Sequence, residues 1–349
     1  MLSDAHAPEK LRIERGPRSG QTIIVSVDST RPGPALGGCR IKGYPTWGDG
    51  LADALRLSAA MTEKAALAGL PYGGGKTVVA LEGSSAAVLT GRARSELLAD
   101  VGELVESFGG SYIIGPDVGS GPDDMTEIGR RTRHVMCRPE SAGGSGDSSR
   151  PTSIGVIASI DAVREHLWPD RDPAALSFAI LGLGHVGSLV GAQLASTGAR
   201  LIVTDVDRSR QALARTWGAT WADPDEALFA DVDVVVPCAV GGILTPSSVS
   251  RLRCRAIVGA ANSQLDTEGT ADLLHARGIC WAPDTVVSAG GIVAAVAREL
   301  QQASTDEVDR RVREIGRRLA AALSAATSSG VSPLHEARRR VRPLLATLP

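Results

Sequence analysis

Between residues 176 and 262 the chain alternates strand-like apolar runs (SFAILGLG, ARLIVTDVD, DVDVVVPCAV, CRAIVGAAN) with stretches of helical period. Alternation of that kind implies a parallel, doubly wound α/β sheet. One part of it invites another reading. Leu176 to Thr197 holds no Asp, Glu, Lys or Arg, and on length alone it could be a membrane helix. A spanning helix has no reason to concentrate Gly182, Gly184 and Gly187 between a β-like run and a helix-like run with a second β-like run directly after, so the sequence predicts strand, turn and helix.

The turn reads GLGHVG, from Gly182 through Gly184, His185 and Val186 to Gly187. By itself the pattern is weak, because a glycine-rich turn can simply pack a helix on a sheet. Its context strengthens it. The glycines allow a tight turn and close approach of backbone N–H groups to a pyrophosphate at a helix N-terminus. The following strand ends in Asp205, about 20 residues on, where an acid can accept hydrogen bonds from an adenosine ribose. Asp205 would also repel a 2′-phosphate, which favours NAD over NADP.

The N-terminal part shows short β-type runs, LRI, QTIIVSV and CRIKGY, the last preceded by the turn-rich RPGPALGG. Leu51, Ala54, Leu55 and Ala59 recur at helical spacing, and that helix runs to Ala68 before Gly69 and Pro71. A strand TVVAL at 77–81, a helix near 94–107 and a strand GSYIIGPD at 110–117 follow. The least regular segment, PESAGGSGDSSRPTS at 139–153, is the expected hinge, with a helix from about 154 to 166 after it. Two charged helices close the chain, about 305–328 and from Pro333 onward. The expected division is 1–138, a hinge at 139–153, a second domain at 154–328 and a terminal helix within 329–349.

Two lysines stand out in MTEKAALAGLPYGGGK, Met61 to Lys76. Lys64 could be a cation favoured near a helix C-terminus, and Lys76 a surface residue after a loop. Together, with Gly73, Gly74 and Gly75 removing nearby side chains, they look like charges aimed into a cleft. Such a pair binds a carboxylate, and desolvation with like charge depresses the pKa of one lysine. Asp117, in YIIGPDVGS, ends an apolar strand before a glycine turn, a position that also suits a simple turn former.

A 349-residue chain with 43% hydrophobic and 22% charged residues and a formal charge of -2 gives no electrostatic reason to expect nucleic acid or an anionic membrane. Its partner is expected to be small. The five cysteines are widely spaced without a CxxC pair, so they read as reduced thiols of a cytoplasmic protein with no metal site. The first residues, MLSDAHAPEKLRI, lack the apolar core of a secretory signal.

The ordered set GPALGGCR, MTEKAALAGLPYGGGK, YIIGPDVGS, GGSGDSSRPTS, GLGHVG, GAAN and APDTVVSAGG resembles the glutamate/leucine/phenylalanine/valine dehydrogenase family, above all its shorter amino-acid members. The resemblance runs from about Pro32 to Glu299, and the glycine-lysine motif is its most specific part. It implies an N-terminal α/β domain for substrate and oligomerisation, a Rossmann-type NAD-binding domain, and a last helix returning to the first domain. It also implies a homo-oligomer that reversibly deaminates an L-amino acid to a 2-oxo acid and ammonia with NAD. On that resemblance Lys64 holds the substrate carboxylate, Lys76 assists chemistry at the α-carbon, and Asp117 exchanges protons with the amine. Backbone near Gly38 orients the substrate, Thr152 lies beside the cofactor, and Ala239 and Asn262 border the ribose and nicotinamide.

The chain departs from the family pattern at Cys39, Pro116, Ser263, Ser288 and Ala294. The last three remove amide groups near substrate and nicotinamide. Side chains two apart on a strand face the same way, so Gly115 leaves space on the side of Asp117. Ile292 and Ala295 share a helix face. Relatives that take branched substrates carry larger residues at 115 and 295. With Leu36 and Ile292 as apolar walls, the expected substrate is aromatic, phenylalanine or tryptophan. The alternatives are a biosynthetic member acting on an unusual 2-oxo acid or branched-chain amino acid, and a non-catalytic NAD-binding sensor.

Overall fold

The computed structural model describes residues 7–82 and 89–346. The first residues of MLSDAHAPEKLRI, where no secretory signal is expected, and the chain beyond the last helix lie outside them. The chain divides into two compact units, one of Met1–Asp147 with Arg298–Gln302 and Val341–Pro349, the other of Ser148–Ala297 with Ala303–Arg340.

In chain order the first unit contains β1 (Lys10–Arg15), β2 (Thr22–Ser29), β3 (Ala35–Tyr44), α1 (Trp47–Leu67), β4 (Gly73–Glu82), α2 (Gly91–Glu106), β5 (Tyr112–Pro116) and α3 (Pro122–Ile128). The strands form a five-stranded mixed sheet in the order β1-β2-β4-β3-β5. β3 lies parallel to both β4 and β5, whereas β2 runs antiparallel to β1 and β4. Alternation along β2 divides the core. Ile23, Val25 and Val27 pack with Leu97 and Val101 of α2 and Met125 and Ile128 of α3, while Ile24 packs with Val78, Ala80 and Ala54 of α1. A reciprocal cap between Thr46 and Asp49 starts α1.

β4 differs from expectation. Gly73 to Gly75 belong to the strand, not to a loop ahead of it. A Cβ at Gly73 would lie 1.8 Å from the Ser29 carbonyl oxygen, one at Gly74 2.0 Å from the Thr62 nitrogen in α1, and one at Gly75 2.7 Å from the Tyr112 ring. The glycines let β4 pass between a helix and its neighbouring strands. They do not empty a cleft around Lys76, and the expectation that they do is corrected.

The second unit continues with α4 (Ser149–Leu167), β6 (Ser177–Leu181), α5 (His185–Ser196), β7 (Arg200–Thr204), α6 (Gln211–Thr216), β8 (Thr220–Trp221), α7 (Pro224–Leu228), β9 (Val234–Pro237), α8 (Pro246–Arg251), β10 (Ala256–Ile257), α9 (Gly269–Ala276), β11 (Cys280–Trp281), α10 (Asp284–Val287), α11 (Gly290–Ala295) and α12 (Thr305–Ser329), followed by α13 (Pro333–Ala346). Its six strands are parallel in the order β11-β10-β9-β6-β7-β8, the doubly wound arrangement expected. The order reverses at β6, and ligands of such sheets bind beyond the strand ends at that point. α4 starts at Ser149, earlier than expected, because Pro151 sits in the first turn, where its missing N–H has no helical acceptor to lose. Arg150 ties this turn to Asp309 of α12 through two hydrogen bonds of 2.8 and 2.6 Å. Residues 176–197 fold as β6, a turn and α5, and no helix among the described residues is long and apolar enough to cross a membrane.

Candidate active site

Strand register assembles the first cluster. β3 lies between β4 and β5, with Leu36 opposite Gly74, Cys39 opposite Thr77, and Gly38 opposite Gly115. Lys76 therefore flanks Gly38 on one side, and Asp117, just past β5, flanks it on the other. A Cβ at Gly38 would lie 2.7 Å from the Asp117 Cβ and 3.2 Å from the Lys76 Nζ. Only a glycine lets the lysine cross β3, and its Nζ meets the Asp117 Oδ2 at 2.8 Å.

The same oxygen accepts from the Arg40 Nε at 2.8 Å. Arg40 in turn donates from its Nη1 to the Asp53 Oδ2 at 2.8 Å, and that carboxylate also takes the Tyr44 hydroxyl at 2.7 Å and the Arg56 guanidinium at 2.6 Å. Among the described residues the Asp117 Oδ1 accepts no hydrogen bond. The backbone N–H of Asp117 donates to the Ser120 Oγ, whose hydroxyl donates to the Cys39 carbonyl, so the turn after β5 is fastened to β3.

Lys76 is only 5% exposed. Burial pulls its ammonium below the ordinary lysine range, Asp117 opposes that, and Arg40 adds to it by like charge. For Asp117, burial pushes the carboxyl up, but Lys76 and Arg40 outweigh burial and hold it below its ordinary value. The pair thus combines a lysine biased toward losing its proton with a carboxylate biased toward staying ionised. Burial raises the adjacent Cys39 thiol to about 12, so it stays protonated and inert at neutral pH.

Lys64 lies in the last turn of α1 and is half-buried. Leu36 is fully buried in β3. The space at Gly115 is narrower than the sequence suggests, because a Cβ there would meet the Met136 Cγ at 3.4 Å and the Cys137 Sγ at 4.0 Å. In the second unit Ala295 is buried and Ile292 half-buried on α11. Ala294 is buried there too.

The turn after β6 has the form that a dinucleotide needs. Gly182 has φ 100°, in the left-handed region, and a Cβ on it would strike Ala239. A Cβ at Gly187 would lie 2.0 Å from the Gly182 oxygen, so α5 can approach the strand only without one, while a Cβ at Gly184 meets nothing within 4 Å. Exposed His185 and half-buried Val186 open α5. Asp205 accepts the Leu183 N–H at 2.6 Å and the Asp207 N–H at 2.8 Å, one on each oxygen, and each oxygen keeps a further lone pair for a ribose hydroxyl. Beside it opens a cavity of about 230 Å³ lined by Gly182, Asp205, Val206, Pro224, Ala239 and Val240 among others. Val206 is 94% exposed and Val240 68%, apolar surface suited to the faces of an adenine. Thr152 sits half-buried in the first turn of α4, and exposed Asn262 accepts the Ser288 hydroxyl at 3.2 Å.

Sequence reasoning missed Arg40, Asp53 and Tyr44. Their partners are remote in sequence, and an arginine on a strand carries no signal of its own. Val206, Pro224, Asp225 and Val240 were missed because they lie in segments after strands, where no periodicity marks them.

A dinucleotide fold in one unit and a buried lysine-carboxylate pair in the other define a nucleotide-dependent oxidoreductase. Residues 12–134 match the Glu/Leu/Phe/Val dehydrogenase dimerisation domain, and residues 202–341 match the Glutamate/Leucine/Phenylalanine/Valine dehydrogenase domain. The chain is 35% identical to a phenylalanine dehydrogenase of Lysinibacillus sphaericus over 93% of this chain and 85% of that one. It is 36% identical to a valine dehydrogenase of Streptomyces coelicolor, over 97% and 92%. The crystal structure of L-tryptophan dehydrogenase from Nostoc punctiforme superposes with a TM-score of 0.85 at 32% identity, covering 98% of each chain. The chain belongs to the glutamate/leucine/phenylalanine/valine dehydrogenase family. It is an NAD(P)-dependent amino-acid dehydrogenase, an oxidoreductase acting on CH–NH2 donors.

Proposed function

We propose that the enzyme deaminates an L-amino acid with an aromatic side chain, using NAD, through Lys76 and Asp117. The observation that carries the assignment of these two residues is the buried 2.8 Å contact between them across Gly38. Lys64 holds the α-carboxylate by its charge. The bound dinucleotide supplies a hydride acceptor for the α-carbon. Loss of that hydride leaves an iminium carbon, and neutral Lys76 takes a proton at Nζ from the water that attacks it. Before the hydride leaves, ionised Asp117 takes a proton from the substrate ammonium at Oδ1, the oxygen not engaged by the two cations, and it returns that proton to the amine nitrogen once water has added. Ammonia then leaves as the carbinolamine hydroxyl gives its proton to solvent, Lys76 releases its own proton to solvent, and the 2-oxo acid forms.

Preference for NAD rests on Asp205, whose charge would oppose a 2′-phosphate at the ribose. The aromatic preference rests on Gly115 and on the likeness to phenylalanine and tryptophan dehydrogenases. A branched aliphatic substrate is the second reading, favoured by Met136 and Cys137 closing on Gly115 and by the likeness to valine dehydrogenases. The lysine-aspartate pair argues against a sensor without turnover. Assembly through the first unit agrees with its match to a dimerisation domain, and the five free thiols suit a reducing cytoplasm.

The test is NADH formation at alkaline pH from L-phenylalanine, L-tryptophan, L-leucine and L-valine. The reading predicts the highest kcat/KM for an aromatic substrate. Preference for valine or leucine selects the second reading, and no turnover with any amino acid refutes both.

A further inference from the structure

The pair Lys76 and Asp117 does not stand alone. It ends a chain of charges of alternating sign, Arg56, Asp53, Arg40, Asp117 and Lys76, in which each neighbour lies within 2.6 to 2.8 Å of the next. Arg56 is at the surface and Lys76 is buried, so the chain runs from solvent along α1 and β3 into the reacting end. A simple ion pair would serve the proposed reaction badly. In a lysine-aspartate pair each charge stabilises the other, so the lysine resists giving up its proton, and once it does the aspartate has lost its counter-ion.

Arg40 resolves that conflict. A guanidinium cannot lose its proton in a protein, so it remains a cation through the whole cycle. It shares one oxygen of Asp117 with Lys76, which leaves the other for the amine. We propose that Arg40 is a positioning residue that gives Asp117 a permanent counter-cation, so that Lys76 can lose its proton while Asp117 stays ionised. Asp53, held by Tyr44 and Arg56, keeps Arg40 pointed at Asp117 and partly neutralises it. This inference rests on the assignment of Lys76 and Asp117 made above.

The groups around Lys76 come from several elements. β3 supplies Arg40 and the protonated Cys39, the turn after β5 supplies Asp117, and α1 supplies Asp53 through Arg40, while the buried Tyr112 at the start of β5 interacts with Asp117. β2 supplies Ser26, opposite Lys76 in the register, and Asp28, which accepts the Thr62 hydroxyl, while Lys64 ends α1. Arg40 is the permanent cation among the groups that act on both members of the pair. Like charge from Arg40 lowers the Lys76 ammonium, and its attraction lowers the Asp117 carboxyl.

The chain has only four lysines, Lys10, Lys42, Lys64 and Lys76, which makes a direct titration practical. The full-length enzyme with 15N-labelled lysine side chains is titrated by NMR, with the Lys76 signal assigned by its loss in Lys76→Ala. The kcat/KM profile against pH is recorded for the same proteins. Arg40→Gln should move both the Lys76 titration and the rising limb of the profile to higher pH, with kcat/KM at a fixed pH on that limb falling about tenfold for each unit moved. Arg40→Lys, which keeps the charge, should hold both midpoints near the parent's. Asp53→Asn, which unmasks the Arg40 charge, should move them to lower pH.

A folded Arg40→Gln protein with an unmoved Lys76 titration overturns the proposal. If that variant does not fold, an unmoved titration in Asp53→Asn overturns it instead. The outcome stays distinct from that of the catalytic assignment. Turnover retained by Lys76→Ala refutes the role of Lys76 in the reaction, whereas the NMR titration reports the hold of Arg40 on Lys76 whether or not the protein turns over.

Discussion

Gly38→Ala tests the packing of the site more sharply than removing a charged group, because it adds one methyl and leaves every charge in place. The Cβ would stand 2.7 Å from the Asp117 Cβ, 2.9 Å from the Pro116 carbonyl oxygen and 3.2 Å from the Lys76 Nζ. To restore an ordinary contact of 3.4 Å, Asp117 must retreat by about 0.7 Å, and the strand end that carries it must move as well. Misplacing a reacting group by 1 Å can cost about 100-fold in rate, so a movement of this size should lower kcat by roughly 10- to 100-fold. Overpacking also costs stability, about 1 to 3 kcal/mol. In a unit of this size that corresponds to a fall in Tm of roughly 2 to 12 °C. Steady-state kinetics with the preferred amino acid and a thermal melt on the same preparation give both numbers. A lowered Tm with kcat within about threefold of the parent would show that turnover does not depend on the Lys76 to Asp117 separation, and the reasoning would fail.

Other substitutions reach the remaining parts of the site. Asp205→Ser should weaken NAD and raise the NADP to NAD ratio of kcat/KM, since the ribose acceptor and the repulsive charge vanish together. An unchanged ratio would assign that discrimination to another residue. Gly115→Ala should cost aromatic substrates more than aliphatic ones, by about 1 to 3 kcal/mol in relative kcat/KM, because the added methyl narrows the space beside Met136. Equal losses for both classes would remove Gly115 from side-chain selection. Asp53 has a folded pKa lowered from 3.8 to about 2; burial opposes the shift, but Tyr44, Arg56 and Arg40 outweigh it. A carboxyl depressed on folding adds stability above its unfolded pKa and loses it as pH falls through the folded value. The parent should therefore lose Tm between about pH 4 and pH 2 more steeply than Asp53→Asn, and parallel curves would contradict this.

The second unit was the more legible of the two. Its four central strands are apolar runs that announce themselves, and the glycine turn and Asp205 fall where the pattern places them, whereas the two-residue edge strands β8 and β11 carry no such run. Legibility failed where tertiary contact decides. Gly73 to Gly75 read as clearing side chains from Lys76 ahead of a strand at 77–81, whereas here the cause is the approach of β4 to Thr62, Ser29 and Tyr112, which no local pattern reveals. Arg40 was invisible for a related reason, since Asp53 and Asp117 are 13 and 77 residues away and only the sheet brings them to it. The close walls at Gly115 come from Met136 and Cys137, on a segment bridged to β5 at Ile114 and Val135, outside any strand that the sequence suggested.

The most direct test of the catalytic account is a comparison of NADH formation by the parent and by Lys76→Ala, with NAD affinity measured on both. The account predicts that kcat falls by at least about 100-fold, the range of a positioned acid-base group, while the Kd for NAD changes little. Turnover within about threefold of the parent would contradict it, because the buried lysine that Arg40 and Asp117 surround would then take no part in the reaction.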